Sequence, residues 1–228
     1  MLFRSSPSLS QRLSEGGLRN IVTNPMGVDP GIFDAKLRDP SLRARLLERC
    51  ALPEDATLLV GVGRHAAEKR WGMVVDAAIA AGADRPVGLL LIGEGRDSAK
   101  LARKIGNNPH IHLLSPIRDR AALARMMASA DALIHGCEAE TFCIVAAEAL
   151  ASGLPLIAPD RGGAFDQAQA SGGVVYRSGS ASDAARAIRR FVDAPPPRPT
   201  GLARTMDQHF ADLFALYAWL ETPAARAA

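Results

Sequence analysis

The chain has 228 residues, 48% of them hydrophobic, enough apolar material for the core of one large domain with appendages. No apolar run reaches the roughly 18 residues of a membrane span, and the N-terminus lacks the basic-then-apolar pattern of a secretory leader, so a soluble, cytoplasmic protein is expected. The net charge of +3 comes almost wholly from arginine, since lysine stands only at 36, 69, 100 and 104; with no RNA-binding signature or zinc-finger spacing this is not read as nucleic-acid binding, and a weak attraction for anionic membrane surfaces or phosphorylated ligands stays open.

In chain order, "NIVTN" at 20–24 reads as a strand and 40–50 as a helix, followed by the strand "TLLVGVG" at 57–63 and a helix over 70–82. The strand "VGLLLIG" at 87–93 precedes a helix over 96–105, "HIHLL" at 110–114 a helix over 119–129, and "DALIH" at 131–135 a helix over 143–151. "LPLIA" at 154–158, a helix over 163–170, "GVVY" at 173–176 and a helix over 182–193 complete the alternation. Short apolar runs alternating with helical segments predict an α/β fold with a doubly wound, Rossmann-like parallel sheet. Asp119 is the expected cap of one helix, and Ser182 with Asp183 that of another. Consecutive prolines make "APPPRPTG" at 194–201 a stiff connector. Beyond it, Phe210, Leu213, Phe214, Tyr217 and Leu220 have the three-four spacing of an amphipathic helix that needs a surface to lie on.

In an open parallel sheet, ligands bind at the carboxyl ends of the strands near the reversal of strand order. Arg64 and Lys69 follow the first strong strand, directly after Gly61 and Gly63, and suit a diphosphate: arginine grips phosphate through two parallel donors and lysine acts as a mobile point charge. Two solvated surface cations are the bland alternative. Gly61, Gly63 and Ala66 also fit the dinucleotide pattern G-x-G-x-x-A, but the acidic residue expected about 20 positions on is displaced to Glu94. No Walker A loop occurs. After "DALIH", "ETF" precedes an apolar helix, so the amides of Phe142, Cys143 and Ile144 are expected to be open to anions or hydroxyl oxygens. Glu140 lies before that helix and Glu148 inside it. Eight helical residues span about 12 Å, too far for the close carboxylate pair of a retaining glycosidase, so the two are assigned to different parts of one extended ligand. Otherwise Glu148 is an ion pair with a neighbouring helix and Glu140 a solvated loop carboxylate. Cys50, Cys137 and Cys143 are odd in number and unclustered, which suggests buried free thiols and neither a disulfide framework nor a Cys-x-x-Cys metal site.

Together, "GVGRHAAEK", "LLLIGEG" and "ETFCIVAAEALASGLPLIAPDRGG" resemble the nucleotide-sugar-binding domain of the retaining GT-B glycosyltransferases, specifically glycosyltransferase family 4, with its E-x7-E signature on Glu140 and Glu148. The resemblance runs from about residue 20 to the C-terminus. It implies that Arg64, Lys69 and Gly63 meet the donor diphosphate and that Glu148 binds the nucleotide ribose. Glu140 would contact the donor sugar with the amides of Thr141, Phe142, Cys143 and Ile144, and Ile117 with Pro116 would lie near the base. Thr141 and Cys143 stand where the family usually has glycine. The implied reaction moves a hexose from a donor of the GDP-mannose or UDP-hexose type to a saccharide, lipid or other hydroxyl acceptor with retained configuration. No Asp-x-Asp motif suggests a metal, so no metal or other cofactor is expected.

The same resemblance divides the chain into a remnant of an acceptor domain at 1–25, the donor domain at 26–193, the connector at 194–201, and a crossing helix with its tail at 202–228. An acceptor-side partner is implied, as a separate N-terminal domain or within a homo-oligomer, and peripheral contact with the inner membrane face stays open. The competing expectations are a non-catalytic nucleotide- or dinucleotide-binding module and one subunit of a split glycosyltransferase.

Overall fold

The computed structural model describes residues 2–201 and 204–221. It opens with β1 (Leu2–Arg4), α1 (Pro7–Glu15) and β2 (Ile21–Thr23). Ser6 caps α1 through the amide of Leu9, and Pro7 sits in the first turn, where its missing N–H has no intrahelical partner to lose. β1 and β2 pair in parallel as a sheet of their own. The strand at 20–24 is thus a strand, but it does not join the main sheet. Asn24 donates to the carbonyl of Arg4 at 2.7 Å, and Pro25, without an amide, ends the ladder there.

The main sheet contains β3 (Thr57–Val62), β4 (Val87–Ile92), β5 (Ile111–Leu114), β6 (Ala132–Ile134), β7 (Leu156–Pro159) and β8 (Val174–Tyr176). Every neighbouring pair is parallel, in the order β5-β4-β3-β6-β7-β8. The chain winds outward from β3 in one direction, then returns to β6 and winds in the other. The reversal therefore falls between the carboxyl ends of β3 and β6.

The helices are α2 (Pro40–Arg49), α3 (Trp71–Gly82), α4 (Ser98–Ile105), α5 (Arg120–Ser129), α6 (Ile144–Ala151), α7 (Gly163–Ala170), α8 (Ala181–Asp193) and α9 (Met206–Leu220). Side-chain alternation along the strands sorts them into two layers. Leu58, Val60, Leu90, Ile92, Leu133 and Leu156 pack with α2, α5, α6 and α7. On the other face Leu59, Leu89, Leu91, Ile134 and Ile157 pack with α3, α4 and α8. Because both faces are covered, the strands read as continuous apolar runs.

Asp119 caps α5 through the amides of Ala121 and Ala122. The cap of α8 is Ser180, two residues before Ser182: its hydroxyl accepts from the amide of Asp183, while the Asp183 carboxylate accepts from the amide of Arg177. The connector has no helix, and Arg198 pins it by donating to the carbonyls of Ala128 and Ala130 at the end of α5. α9 then runs back beside the N-terminal unit, with Val28 bridged to Thr205 and His209 Nδ1 on the carbonyl of Pro25 at 2.9 Å. Its aromatic residues Phe210, Phe214, Tyr217 and Trp219 are exposed, with Phe210 and Phe214 stacked.

Candidate active site

The site lies at the reversal. The loops after β3 and β4 cross so closely that a Cβ on Gly93 would lie 2.0 Å from the carbonyl oxygen of Gly63. With φ at 153°, Gly93 also adopts a backbone that favours glycine. After Gly63 the chain passes Arg64 and makes a single 3-10 turn at Ala67–Lys69 before Trp71 begins α3. The indole Nε1 of Trp71 donates to the carbonyl of Arg64 at 2.9 Å and fixes the loop. A dinucleotide fingerprint needs its helix directly after the glycines, with its N-terminus on the pyrophosphate. Here the turn intervenes, so that reading loses its structural context.

The turn carries Lys69 inward, where its ammonium pairs with the carboxylate of Glu140. His135, at the end of β6 and almost fully buried, places Nε2 3.5 Å from Glu140 Oε1. Contact with His135, reinforced by Lys69, holds the Glu140 carboxyl down at about 2 despite the opposing effect of its burial. Beside this pair Arg70 binds Glu138. Gly162 brings the loop after β7 close: a Cβ there would lie 2.5 Å from the carbonyl oxygen of Glu138, and its φ of 79° favours glycine.

Glu140 and Glu148 are not mates. Glu148 lies inside α6, buried, with Arg120 Nη2 2.8 Å from Oε1. Burial raises its pKa, and Arg120 opposes that only in part. Arg120 also stacks over Phe33, 4.9 Å from the ring centre. The expectation of an ion pair with a neighbouring helix is thus met for Glu148.

Between the glutamates, the amides of Phe142, Cys143 and Ile144 donate to no acceptor among the described residues. Cys143 stands just before α6 with φ at 68°, and Gln167 holds the turn by donating to the carbonyls of Phe142 and Cys143. Thr141 faces a cleft of about 330 Å³, shared with Ser5, Leu9, Asn24, Met26 and Leu213 of the N-terminal unit and α9. The three cysteines are free and buried, and burial pushes the Cys50 thiol up to about 11 and that of Cys143 to about 12.

Arg64 is placed differently from Lys69. Its side chain is 79% exposed and bonded to Glu68 at 3.0 Å, so it reaches solvent at the rim. It lines a pocket of about 250 Å³ with Gly63, Gly93, Glu94, Pro116 and Ile117. The structure therefore joins Lys69, Glu140 and the 142–144 amides in one cluster, joins Arg64, Gly63 and Ile117 in a neighbouring pocket, and sets Glu148 beside α5. Sequence reasoning passed over His135 and Arg120. His135 carried a signal, because it ends a strand at the sheet's reversal; Arg120 carried none beyond following a capping aspartate.

The family model Glycosyl transferases group 1 matches residues 43–205. Over 127 residues, 56% of the chain, it is 39% identical to a GDP-mannose-dependent alpha-mannosyltransferase of Mycobacterium tuberculosis (strain CDC 1551 / Oshkosh), covering 32% of that protein. Over 144 residues, 62% of the chain, it is 38% identical to a GDP-mannose-dependent alpha-(1-6)-phosphatidylinositol dimannoside mannosyltransferase of M. tuberculosis (strain ATCC 25177 / H37Ra), covering 36% of that protein. The chain thus spans about a third of the length of these relatives. In fold it is similar to sucrose-phosphate synthase from Thermosynechococcus elongatus, with a TM-score of 0.78 at 23% identity, over 96% of this chain and 57% of that one.

Proposed function

The chain belongs to the glycosyl transferases group 1 family, and from that premise we propose that it is the donor-binding half of a retaining, family 4 glycosyltransferase of GT-B architecture. The donor is a nucleotide-diphosphate hexose, and the two GDP-mannose-dependent relatives favour GDP-mannose over a UDP-hexose. The observation that carries this reading is the convergence of Lys69, ionised Glu140 and three amides with no acceptor among the described residues at the reversal of a parallel sheet.

In this reading the base enters the pocket bounded by Gly63, Arg64 and Ile117, and Glu148 accepts from the ribose hydroxyls. The diphosphate lies between Arg64 and Lys69. As the sugar departs, negative charge develops on the diphosphate, and these two cations meet it without a metal. Glu140 accepts from sugar hydroxyls, aided by the amides of Thr141 to Ile144; the acceptor hydroxyl attacks from the face the diphosphate leaves, and its proton passes to the oxygen of the diphosphate freed as the sugar bond breaks. The Lys69–Glu140 pair holds both charges in the cleft before the donor arrives, so little reorganisation is needed when diphosphate and sugar meet them.

We read residues 1–25 as the end of the acceptor domain, 26–193 as the donor domain and 194–201 as the connector to the crossing helix. The cleft at Thr141 faces the N-terminal unit, and the exposed aromatic residues of α9 offer an apolar surface to the remainder of such a domain. The acceptor is a hydroxyl compound; one relative, by its name, acts on a phosphatidylinositol dimannoside. Among the described residues no helix is long and apolar enough to cross a membrane.

Titration calorimetry with GDP, UDP, ADP and NADH tests the reading. GDP is expected to bind, and Glu148→Ala to weaken it. Binding of NADH with none of the nucleoside diphosphates would replace this reading with the dinucleotide one.

A further inference from the structure

Among the described residues, His135, Glu140 and Cys143 bring three kinds of metal ligand together, their ligand atoms all within 4.8 Å of one another. They come from the end of β6, the loop after it and the residue before α6. His135 Nε2 is 3.5 Å from Glu140 Oε1 and 3.7 Å from Cys143 Sγ. With zinc bonds of about 2.1 Å to nitrogen or oxygen and about 2.3 Å to sulfur, tetrahedral ligand atoms stand about 3.4 to 3.6 Å apart. Two edges of the ligand triangle are therefore near tetrahedral length already.

The scaffold is stiff. The carbonyl of His135 accepts from the buried hydroxyl of Tyr176, and its ring meets Trp71 edge-on at 6.2 Å. Cys143 holds a left-handed backbone, φ 68°, that glycine adopts without strain, and this conformation places its sulfur against the imidazole. His135 and Cys143 are buried while Glu140 is partly open, which gives an ion a way in. A cation already sits at this carboxylate, the ammonium of Lys69.

We propose that His135 Nε2, a Glu140 oxygen and Cys143 Sγ form a binding site for zinc or cobalt, whose occupation displaces Lys69 from Glu140. Imidazole and thiolate donors select such ions over magnesium or calcium, which take oxygen ligands. Three protein ligands leave the fourth position to water, and binding releases the thiol proton to solvent. Because the ion takes the carboxylate assigned to the donor sugar and unseats the cation assigned to the diphosphate, it is an inhibitor and not a cofactor. That consequence rests on the proposed function; the site itself does not.

The test is titration of the reduced chain with cobalt(II), followed by absorption. A single equivalent is expected to give the visible bands of tetrahedral cobalt and a near-ultraviolet thiolate-to-cobalt band. Both should persist in Cys137→Ser and vanish in Cys143→Gly, whose glycine suits the left-handed backbone and whose fold a thermal scan verifies. Lys69→Ala should tighten cobalt binding at least roughly tenfold if the ammonium occupies Glu140 nine-tenths of the time. Absence of the thiolate band, its survival in Cys143→Gly, or unchanged affinity in Lys69→Ala would overturn the site. GDP calorimetry in chelator reads the donor site separately: GDP binding without a cobalt band removes only the metal site, and a cobalt band without GDP binding removes only the donor reading.

Discussion

The loop before α6 and the body of that helix hold the same side chain in opposite surroundings. At the N-terminal end, Glu140 meets the imidazole of His135 and the ammonium of Lys69, itself only 17% exposed, and its carboxyl is held well below the ordinary range. Inside the helix, Glu148 is more deeply buried, but its partner Arg120 is 54% exposed, and its pKa rises. Glu140 has the imidazole contact as well as its cation to set against burial, whereas Glu148 has Arg120 alone. One glutamate therefore stabilises the fold, and the other carries a desolvation penalty. Our reading gives the penalised one a ribose.

The most severe way to break the Glu140 half is to remove its cation. With the acceptor side supplied, Lys69→Ala is expected to lower turnover by about 10² to 10³-fold, the effect of losing one preorganised charge partner, and to lower donor affinity far less. Steady-state kinetics separates the two. Unchanged turnover would take Lys69 out of the reaction and leave it a structural partner of Glu140.

Stability against pH compares the two glutamates directly. The folded pKa of Glu140 is lowered from 4.5 to about 2, so its contribution is complete above 4.5 and fades as pH falls toward 2. A shift of that size corresponds to stabilisation on the order of 3 kcal/mol at neutral pH. Glu140→Gln should lose it and flatten the acid limb of a denaturant-unfolding profile. An acid limb unchanged by Glu140→Gln would show that the pair contributes nothing net.

Glu148 has the opposite sign. Its folded pKa is raised, so the penalty is absent below the unfolded value and grows as pH rises through the folded one. Glu148→Gln should therefore raise stability at neutral pH by about 1 kcal/mol, the usual gain from a stabilising substitution at a functional site. The partly exposed Arg120 loses little by the change. The same substitution should weaken GDP. If Glu148→Gln destabilised the fold and left GDP affinity intact, the residue would be a structural ion pair only.

How much of this was legible in the sequence follows the same division between backbone and reach. "TLLVGVG" and "VGLLLIG" announce β3 and β4 because strands covered on both faces are continuous apolar runs ended by glycine. "NIVTN" looks alike, yet Pro25 and the pairing with β1 keep it out of the main sheet, a tertiary outcome that its composition does not encode. Lys69, Glu140 and Glu148 were readable from their places after strands or within an apolar helix. The partners were not. Arg120 reaches Glu148 across two helices and Arg70 reaches Glu138 across two loops, and the sweep of a guanidinium is decided by packing rather than spacing. Ser180 displaced Ser182 as a cap because the Asp183 carboxylate is already engaged by the amide of Arg177 and its own amide turns to the earlier serine.

The smallest expected effect falls on Arg64. Its side chain lies in solvent and its bond to Glu68 is an exposed i, i+4 pair, which contributes little to stability. Arg64→Ala should therefore leave thermal stability within about 0.5 kcal/mol of the parent chain. Its place at the rim of the pocket shared with Gly63 and Ile117 nevertheless predicts a several-fold loss of GDP affinity, steeper at low ionic strength, where a phosphate contact is least screened. Lys69→Ala differs, because it also strips a half-buried carboxylate of its cation. Calorimetry of both variants at two salt concentrations separates a cation that serves only the ligand from one that serves ligand and fold. If Arg64→Ala bound GDP as tightly as the parent at low salt, Arg64 would be a solvated surface charge and Lys69 alone would meet the diphosphate.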